Sequence, residues 1–426
     1  MNYRQALEYI HSQKRFGPKP GLERIQKLLS LLGNPQDRLR FVHVAGTNGK
    51  GSTTVMTASV LQEAGYKTGV FISPYVLDFR ERMQVDREMI SEADLTQLVE
   101  RVRPLVEQMR AGGEIVAEFE LVTALAMCYF EQQRCDIVCL EVGIGGRFDS
   151  TNVIAPPLAA VITAISLDHT QMLGDTVEQI AVEKAGIIKR NTDVVCYAKQ
   201  DPGALAVLMQ HCAETGSRLI LPSAGSVEIK SLTAFGSDFA YGGEEYHIRL
   251  AGEHQVYNAL SAIETIRVLQ NKGFAVREEQ LKNGLANAKF PARFEVLHER
   301  PMIILDGAHN PDGAKALAAA LHSLGKVRIA AVVGMLAEKA VDTLLSEIGP
   351  LCTRMIAVDI DNPRALGRDA LCTEASAYCA DCRSASDYIE AIRLAAEAVG
   401  EDGIVIICGS LYLAADIREI ALAYKN

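Results

Sequence analysis

Short, continuously apolar runs alternate along the chain with longer segments in which apolar residues recur about every 3.6 positions. Runs of the first kind predict buried strands, and segments of the second kind, such as LVTALAMCYFEQQ (121–133), predict helices. Their alternation predicts an α/β fold, with a mainly parallel sheet covered by helices on both faces. The predicted strands in the first part of the chain are 40–46, 68–73, 135–143, 158–166 and 192–198.

The segment from 218 to 250 departs from this alternation. Its short runs are separated by turn residues, as in RLILPS, SVEIKSL, SDFAYGG and EEYHIRL. Runs of this kind predict paired antiparallel strands. We interpret them as a small group of antiparallel strands at one edge of the first sheet.

A second α/β series begins after a helical stretch at 254–273. Because 426 residues exceed what one hydrophobic core usually contains, we predict two domains, residues 1–296 and residues 297–426. The first is expected to hold the mainly parallel sheet with its antiparallel edge, and the second a Rossmann-like α/β arrangement. The predicted strands of the second domain are 302–310, 328–335, 354–360 and 403–410.

The net charge of the chain argues against one class of binding partner, nucleic acids. The chain carries 43 Lys and Arg against 53 Asp and Glu, a net charge of −10, whereas general nucleic-acid binders need a basic excess. We therefore predict small-molecule substrates and no nucleic-acid partner. The sequence shows neither an apolar leader at its start nor an apolar run of membrane-spanning length. We accordingly expect no membrane association and a cytoplasmic location.

Ten cysteines are scattered through apolar runs. In a cytoplasmic protein they are expected to be reduced and mostly buried thiols. Cys379 and Cys382 have C-x-x-C spacing, but a zinc site would normally need a second pair at a matching distance. We interpret this pair as two incidental thiols on a helix.

The segment HVAGTNGKGSTT (43–54) places a glycine-rich turn between a predicted strand and a predicted helix. It fails the pattern G-x-x-x-x-G-K-[ST], because Val44 and Gly51 stand where that pattern needs Gly and then Ser or Thr. The order strand, turn, helix is nevertheless what a phosphate loop needs, since backbone N–H groups and the helix N-terminus face the phosphate. Lys50 is placed to reach the β- and γ-phosphates, and Ser52 supplies a hydroxyl. The stretch predicts a P-loop-type ATPase domain; the alternative is a tight turn with an exposed lysine.

Three polar side chains follow predicted strands of the first sheet. Ser73, Glu141 and His169 lie near strand carboxyl ends, the edge at which open α/β sheets bind ligands. With phosphate oxygens they form a candidate set for Mg²⁺, which prefers oxygen ligands. An imidazole ligand is less usual for this ion, and a lone histidine is more often packed or capping. The residues alone leave both interpretations open.

The run LEVGIGGRFDSTN (140–152) offers a competing interpretation as a dinucleotide-binding fingerprint. Gly143 and Gly145 fit its first two glycines, but Phe148 occupies the third glycine position. A nicotinamide oxidoreductase is therefore disfavoured. Lys184, in VEKAGI, is expected to open a helical stretch, and by itself it indicates no more than a surface lysine.

Polar residues also follow predicted strands in the second domain. Asp306 and His309 lie in LDGAHNPDG, and Ser410 and Tyr412 lie in GSLYLA. Arg293 lies in the linker FPARFE, from which its long side chain can face across a cleft. Helix capping and turn chemistry can explain each residue. Their shared place at strand carboxyl ends favours a functional role only slightly.

Seven segments, in order over nearly the whole chain, carry a resemblance to a known family: HVAGTNGKGS, SPYVLDFRERM, LEVGIGGRFDSTN, LDHTQMLGDTVEQIAVEKAGI, FPARFE, LDGAHNPDG and GSLYLAADIR. With them the chain resembles the folylpolyglutamate synthase and dihydrofolate synthase family, the folate branch of the Mur ligases. This resemblance implies an ATP-dependent acid–amino-acid ligase. A substrate carboxylate would become an acyl phosphate, which the amino group of L-glutamate would then capture. The implied acceptor is the γ-carboxylate of (tetrahydro)folate, with dihydropteroate as a second acceptor in bifunctional members; ATP and Mg²⁺ are implied.

The resemblance also implies roles for individual residues. The implied ATP contacts are Asn48, Gly49, Lys50, Gly51, Ser52, Asn258, Arg293 and Asp306, with Asn258 on the adenine side and the last two reaching from the linker and the second domain. The implied magnesium ligands are Ser73, Glu141, His169 and Lys184, the last as a carbamate; with Lys50, the last three are the implied catalytic residues. The implied substrate contacts are Arg82, Phe119, Phe148, Asp149 and Ser150 on the folate side and His309, Ser410 and Tyr412 on the glutamate side.

Some positions depart from the pattern usual in this family. Tyr75 stands where His often follows Ser-Pro, and FPARFE replaces WPGRFE or LPGRFE. These departures leave the acceptor open, including a Mur-type ligase for another carboxylate such as a cell-wall precursor. A non-catalytic ATP-binding module is the remaining alternative, disfavoured because Lys50, Glu141, His169 and Lys184 are all present. We expect a monomer, since the implied cleft draws on both domains of one chain.

Overall fold

The computed structural model describes residues 1–14, 20–337 and 341–425. They form two compact units, each of which is an α/β structure, as predicted. Unit 1 comprises Met1–Gly225 and Tyr257–Ala288, and unit 2 comprises Ser226–Val256 and Lys289–Asn426. The division after residue 288 lies close to the boundary predicted at 296/297. The antiparallel segment, however, groups with unit 2 rather than with the first domain.

Unit 1 follows the predicted alternation of strands and helices. Its strands are β1 (Phe41–Ala45), β2 (Thr68–Phe71), β3 (Met83–Val85), β4 (Glu88–Met89), β5 (Ile137–Glu141), β6 (Ala159–Ile162), β7 (Asp193–Cys196) and β8 (Arg218–Ile220). Its helices are α1 (Tyr3–His11), α2 (Glu23–Leu31), α3 (Lys50–Glu63), α4 (Glu92–Ala111), α5 (Glu118–Gln132), α6 (Thr170–Leu173), α7 (Val177–Ala185), α8 (Pro202–Thr215), α9 (Glu253–Asn271, from Tyr257 onward) and α10 (Glu278–Asn287).

The strands of unit 1 form one sheet in the order β4-β3-β2-β5-β1-β6-β7-β8. Pairing is parallel except among β2, β3 and β4, which form an antiparallel end of the sheet at a place other than the segment 218–250 predicted for it. Every residue of β1, β5 and β6 is buried. Their continuous apolar runs therefore reflect a sheet that helices cover on both faces.

Unit 2 contains the second α/β series. Its strands are β9 (Val227–Thr233), β10 (Gly236–Tyr241), β11 (Glu244–Ile248), β12 (Glu295–Glu299), β13 (Met302–Leu305), β14 (Ile329–Val333), β15 (Cys352–Ala357), β16 (Cys382–Ser384) and β17 (Ile404–Cys408). Its remaining helices are α11 (Pro311–Ser323), α12 (Val341–Ile348), α13 (Arg368–Ala375), α14 (Tyr388–Val399) and α15 (Leu411–Leu422). The main sheet has the order β12-β13-β17-β14-β15-β16 and is parallel apart from the β12–β13 pair.

Three local predictions were wrong. The segment 227–248 is not an edge of the first sheet, because β9, β10 and β11 pair only with one another among the described residues; RLILPS supplies β8, which pairs parallel with β7. Cys379 and Cys382 are not on a helix: Cys379 follows α13, and Cys382 begins β16. Lys184 lies in the last turn of α7 rather than at the start of a helix.

Two histidines whose pKa is lowered should make the fold acid-sensitive: His43, which is fully buried, and His254, which is partly buried. Burial lowers the pKa of His43 to about 3 and that of His254 to about 4. In an unfolded chain each histidine binds a proton below about pH 6.5. The unfolded state therefore gains protons first, and stability is lost as pH falls from 6.5 towards these values, by about 1.4 kcal/mol per pH unit for each residue.

The histidine prediction can be tested by urea unfolding between pH 7.5 and pH 5. We expect the midpoint of the parent to fall with pH, and His254→Gln to flatten part of that fall. The same substitution at the exposed His322 serves as the control. An unchanged pH dependence in His254→Gln would contradict the assignment.

Within the described residues, no helix is both long and apolar enough to cross a membrane.

Candidate active site

The glycine-rich turn joins β1 to α3 and is tightly packed. Gly49 has a φ of 86° and precedes the first residue of α3, Lys50. A Cβ at Gly49 would lie 2.3 Å from Asn258 Oδ1, and a Cβ at Gly46 would lie 1.8 Å from Thr163 Oγ1. The backbone N–H groups of Thr47 and Asn48 donate to the carbonyl of Ala164. The turn thus needs glycine at both positions, and it brings the predicted adenine-side residue Asn258 against the predicted phosphate loop.

We expect Gly49→Ala to destabilise unit 1 and to weaken ATP binding. The added methyl group would clash with Asn258, and alanine avoids a φ of 86°. Together these effects should cost on the order of 2 kcal/mol or more. Thermal unfolding and calorimetric titration with ATP measure the two consequences.

Gly65→Ala is a matched control for Gly49→Ala, because Gly65 has a φ of 87° but nothing within 4 Å of a built Cβ. Its loss of stability measures the free-energy cost of placing alanine at this φ, without the steric clash that is expected at Gly49. Adding Asn258→Ala to Gly49→Ala should recover stability beyond that of the single variant. If Gly49→Ala behaves like Gly65→Ala, the predicted clash is absent.

Two lysine ammonium groups lie on the carbonyls of this loop. Lys50 Nζ donates to Thr47 O at 3.0 Å, and Lys184 Nζ donates to Gly46 O at 2.6 Å. Lys184 is only 4% exposed. Burial, together with the nearby positive charge of Lys50, lowers the pKa of Lys184 to about 7. An anion placed here would offset two neighbouring cations.

A small cavity opens beside the two lysines. Its volume of about 30 Å³ suits an ion or a water molecule rather than a nucleotide. His169 borders it from a left-handed backbone conformation (φ 51°) just before α6, and its backbone N–H donates to Asp168 Oδ1 at 2.9 Å. The cavity is lined by Gly46, Thr47, Lys50, Gly143, Ile144, Gly145, Asp168, His169, Leu173 and Lys184.

Ser73 and Glu141 meet where β2 and β5 end. These strands are parallel neighbours in the sheet, and the backbone N–H of Ser73 donates to Glu141 Oε2 at 2.9 Å. Glu141 is 4% exposed. The Ser73 hydroxyl is buried and has no hydrogen-bond partner among the described residues. A buried carboxylate beside a hydroxyl without a partner is a donor set that fits Mg²⁺.

No cluster of three or more His, Cys, Asp or Glu side chains suited to a metal occurs in the part of the chain that the structure describes. The predicted set contains only two such residues, Glu141 and His169, with Ser73 and Lys184. A metal held by this set would need further oxygens, which a nucleotide phosphate can supply. Its composition as a metal site stays a prediction.

The loop after β5 holds the predicted folate-side residues. Asp149 is 7% exposed and Ser150 is 8% exposed, whereas Phe148 is 50% exposed. The Asp149 carboxylate accepts hydrogen bonds from the N–H groups of Gly143, Ile144 and Thr151 and from the Thr151 hydroxyl. Asp149 therefore organises the loop itself, and its predicted contact with substrate stays a prediction.

Aromatic side chains border the remaining folate-side residues. Phe119, at the start of α5, lies with its ring centroid 5.9 Å from that of Phe71. The guanidinium carbon of Arg82 lies 5.1 Å from the centroid of the Tyr75 ring and 5.7 Å from that of Phe79. Rings that contact a guanidinium restrict its orientation. Tyr75, a departure from the family pattern, thus contacts the predicted substrate residue Arg82.

In unit 2, four predicted residues follow β13 and β17, which are parallel neighbours. The buried Asp306 carboxylate accepts the N–H groups of Phe294 and Ala308, each at 2.8 Å. His309 Nδ1 lies 2.8 Å from Gly307 O, so Nδ1 carries the proton and donates. Ser410 caps α15 by accepting the N–H of Tyr412, whose side chain is 44% exposed.

Arg293 lies in a constrained turn before β12. Its neighbours Ala292 and Phe294 both have positive φ, 53° and 49°, which is uncommon for residues other than glycine. A Cβ built on Gly307 would lie 2.6 Å from the Arg293 guanidinium. The turn therefore holds Arg293 beside the segment of Asp306 within unit 2.

Sequence reasoning missed several residues that line the cavity in unit 1. Thr47, Asp168 and Leu173 border it, as do Gly143 and Ile144. Asp168 directly precedes His169 and could have been found from that position. The contact of Lys184 with Gly46 joins residues 138 positions apart, and no local pattern signals it.

Comparisons with known proteins agree with this architecture. The Mur ligase middle domain model matches residues 44–266, and the Mur ligase glutamate ligase domain model matches residues 292–411. The dihydrofolate synthase/folylpolyglutamate synthase of Bacillus subtilis (strain 168) is 38% identical over 98% of each chain. The folylpolyglutamate synthase of Lacticaseibacillus casei is 37% identical over 100% of each.

Solved structures are similar over the same length. The folylpolyglutamate synthase of Mycobacterium tuberculosis, complexed with ADP and AMPPCP, has a TM-score of 0.89 at 29% identity and covers 100% of this chain and 99% of its own. An FPGS–AMPPCP–folate complex has a TM-score of 0.86 at 35% identity and covers 99% and 100%. The chain therefore belongs to the Mur ligase family, within its folylpolyglutamate synthase and dihydrofolate synthase branch.

Proposed function

We propose that this enzyme joins L-glutamate to the γ-carboxylate of a folate by an amide bond and hydrolyses ATP to ADP and phosphate in doing so. The observation that carries the proposal is the β1–loop–α3 segment, with Lys50 and Lys184 beside one small cavity. Relatives named for this activity align with essentially the whole chain. A similar structure contains both an ATP analogue and folate.

The reaction is a two-step acyl transfer. A carboxylate oxygen of the folate attacks the γ-phosphorus of ATP, forming an acyl phosphate and releasing ADP. The amino group of glutamate then attacks the acyl carbon, and inorganic phosphate leaves as the amide forms and a proton is released. Both steps bring anions together, so charge neutralisation and positioning should supply most of the rate enhancement.

Lys50 and the first turn of α3 are proposed to bind the phosphates of ATP. The N-terminus of a helix presents free N–H groups and a positive dipole end to an anion. Lys50 adds a full positive charge at the same end. Asn48, Gly49, Gly51 and Ser52 supply backbone and hydroxyl donors in this proposal, and Asn258 lies beside Gly49 on the adenine side.

Ser73, Glu141 and His169, with Lys184, are the residues proposed to hold Mg²⁺. The buried Ser73 hydroxyl and Glu141 carboxylate support this proposal. When bound, Mg²⁺ would neutralise charge on the phosphate oxygens. Glu141 accepts the Ser73 N–H, which keeps the two side chains together before substrates arrive.

Lys184 is proposed to be a carbamate. Its lowered pKa, about 7, leaves much of the amine neutral near physiological pH, and only a neutral amine can add to the carbon of CO₂. As the N–C bond forms, one C–O π bond of CO₂ opens and the amine nitrogen loses one proton, so a neutral amine becomes an anion; counted from the ammonium form, two protons are released. That anion would lie beside Lys50 and could serve as a metal ligand.

Unit 2 is proposed to recognise glutamate and part of the nucleotide. His309, Ser410 and Tyr412 follow neighbouring parallel strands, an edge at which α/β sheets bind ligands. These side chains offer an imidazole and two hydroxyls to an amino acid. Arg293 and Asp306 are proposed nucleotide contacts.

The folate side is proposed to involve Arg82, Phe119, Phe148, Asp149 and Ser150. The exposed Phe148 ring and the partly buried Phe119 ring suit stacking on a pterin, and the Arg82 guanidinium suits a carboxylate. Dihydropteroate is a second candidate acceptor, because relatives named dihydrofolate synthase/folylpolyglutamate synthase align along the chain. The predicted monomeric state and cytoplasmic location stay predictions.

Phosphate release from ATP tests the function directly. Purified enzyme is incubated with L-glutamate and either tetrahydrofolate or dihydropteroate, and the amide product is identified by mass spectrometry. We expect glutamate-dependent stimulation by the folate. Stimulation by both acceptors would indicate a bifunctional enzyme, and stimulation by neither would refute the proposed function.

A further inference from the structure

A buried chain of hydrogen bonds connects the middle of β1 to the loop after β5. His43 Nε2 lies 2.9 Å from Thr151 Oγ1, and Thr151 Oγ1 lies 2.5 Å from Asp149 Oδ1. Asp149 Oδ2 accepts the N–H groups of Gly143 and Ile144, each at 3.0 Å. His43 and Thr151 are 0% exposed. Besides the backbone pairing of β1 with β5, three side chains thus link the phosphate-loop strand to the backbone of the β5 loop.

The direction of each hydrogen bond follows from the carboxylate at the end of the chain. Burial raises the pKa of the Asp149 carboxyl, but four donors converge on its two oxygens and oppose that shift. Four donors on one carboxyl group fit the ionised form, which only accepts. The single hydroxyl proton of Thr151 therefore goes to Asp149, and the Thr151 oxygen accepts from His43 Nε2. His43 must then be the neutral tautomer with its proton on Nε2. The low pKa that burial gives it keeps this form at working pH.

The far end of the chain forms part of the candidate active site. Gly143, Ile144 and Gly145 line the cavity beside Lys50 and Lys184. A Cβ at Gly143 would lie 2.7 Å from the Phe119 ring and 3.1 Å from Asp149 Oδ2. The loop segment therefore has little space to move while Asp149 holds its two N–H groups.

The same loop contacts the helix that carries Lys184. The N–H of Arg147 donates to Glu183 O at 2.8 Å. A Cβ at Gly146 would lie 2.7 Å from Glu183 O and 3.0 Å from the Cα of Lys184. A shift of the loop would consequently move both the cavity wall and the backbone of Lys184.

We propose that His43 is a positioning residue for the ligase reaction. It contacts no substrate; acting through Thr151 and Asp149, it fixes the Gly143–Ile144 backbone and, with it, the cavity that Lys50 and Lys184 share. Thr151 transmits the effect, because its hydroxyl both accepts from His43 and donates to Asp149. The inference rests on the proposed function for its kinetic consequence and on the hydrogen bonds for its geometry.

Substitution of the central hydroxyl tests the kinetic consequence. Thr151→Val removes both hydrogen bonds with almost no change in volume, and Thr151→Ser keeps them. We expect kcat to fall roughly 10- to 100-fold in Thr151→Val, the range typical of residues that orient an active-site group. KM for ATP should change much less. Thr151→Ser should recover kcat to within a few-fold of the parent.

Thr265→Val is the matched control. Thr265 is equally buried in unit 1, and its hydroxyl donates only to Ser261 O within α9. We expect it to lower the melting temperature about as much as Thr151→Val while leaving kcat near that of the parent. A kcat of Thr151→Val within twofold of the parent, or an equal loss of kcat in Thr265→Val, would overturn the positioning role.

Nitrogen NMR of the His43 imidazole tests the geometry without any turnover. We expect the Nε2–H tautomer, uncharged, from pH 7.5 to pH 5 in the parent and in Thr151→Ser, and a changed signature in Thr151→Val. An Nδ1–H tautomer, or protonation near pH 6, would overturn the inference. If the parent has ligase activity with neither acceptor, the proposed function is wrong. The NMR result would still show whether the hydrogen bonds from His43 to Thr151 and Asp149 are formed.

Discussion

Lys50→Ala is expected to abolish ATP-dependent ligation, with turnover falling about 1,000-fold or more. Lys50 is the first residue of α3, and its ammonium group lies over the loop carbonyl of Thr47 at 3.0 Å. As the bond to ADP breaks, its electron pair passes to the oxygen of the leaving β-phosphate, and negative charge grows there beside the charged oxygens of the transferring phosphoryl group. Removing one fixed cation from that place should cost about 4 kcal/mol of transition-state stabilisation. Phosphate release under saturating ATP, glutamate and folate measures the loss.

Two comparison variants make the Lys50 result specific. Lys27 forms a surface ion pair with Glu114 at 2.7 Å, and such pairs contribute little, so Lys27→Ala should leave turnover unchanged. Lys50→Arg keeps the charge but replaces a compact ammonium group by a wide planar guanidinium, and we expect only partial activity. Near-normal turnover in Lys50→Ala would refute the assignment of 46–52 as the phosphate loop.

The loop could be predicted from sequence because its determinants are local. A buried strand, glycines that allow a tight turn, a lysine and a helix all fall within the residues 41–63, and the structure contains them in that order. The strands were equally predictable, since a strand covered on both faces must be apolar along its whole length. The family motifs indicated what the ATP is used for, which could not be inferred from the local sequence pattern.

The pairing of strands was less predictable. RLILPS and the runs at 227–248 have similar patterns, yet β8 joins the parallel sheet and β9–β11 form a separate sheet. Alternation of apolar and polar residues specifies which face of a strand is buried. It does not specify which strand lies beside it. Cys382 was assigned to a helix, whereas it begins a short edge strand.

The residues around the cavity illustrate a similar limit. Asp149 was predicted to bind substrate because of its place in a motif, and that role stays a prediction; the motif gave no sign that its carboxylate also accepts four hydrogen bonds from its own loop. His43 resembles any polar residue in an otherwise apolar strand. Its link to Asp149 becomes visible only when residues more than 100 positions apart are brought together. Side-chain roles that depend on long-range contacts need the folded chain.

Lys184→Ala is expected to lower turnover by roughly 100- to 1,000-fold, and short carboxylic acids should restore part of it. Lys184 is buried beside Lys50, and its pKa of about 7 makes the neutral amine available to CO₂. As a carbamate it would supply an anion to a cavity that otherwise contains two amines. Acetate or propionate can place a carboxylate in the space left by the truncated side chain. Turnover with and without these acids measures the restoration.

Lys184→Arg separates this explanation from a requirement for positive charge. A guanidinium remains protonated at working pH and cannot form the carbamate, so Lys184→Arg should be inactive and should gain nothing from added acids. The parent, incubated with ¹³C-bicarbonate, should show a carbamate carbon signal that is absent from Lys184→Ala. Removal of CO₂ from the buffer should lower parent activity reversibly, because the carbamate loses CO₂ when the dissolved gas is depleted. Activity in Lys184→Arg, or a parent that shows neither the signal nor the dependence on CO₂, would mean that Lys184 acts as a cation beside Lys50.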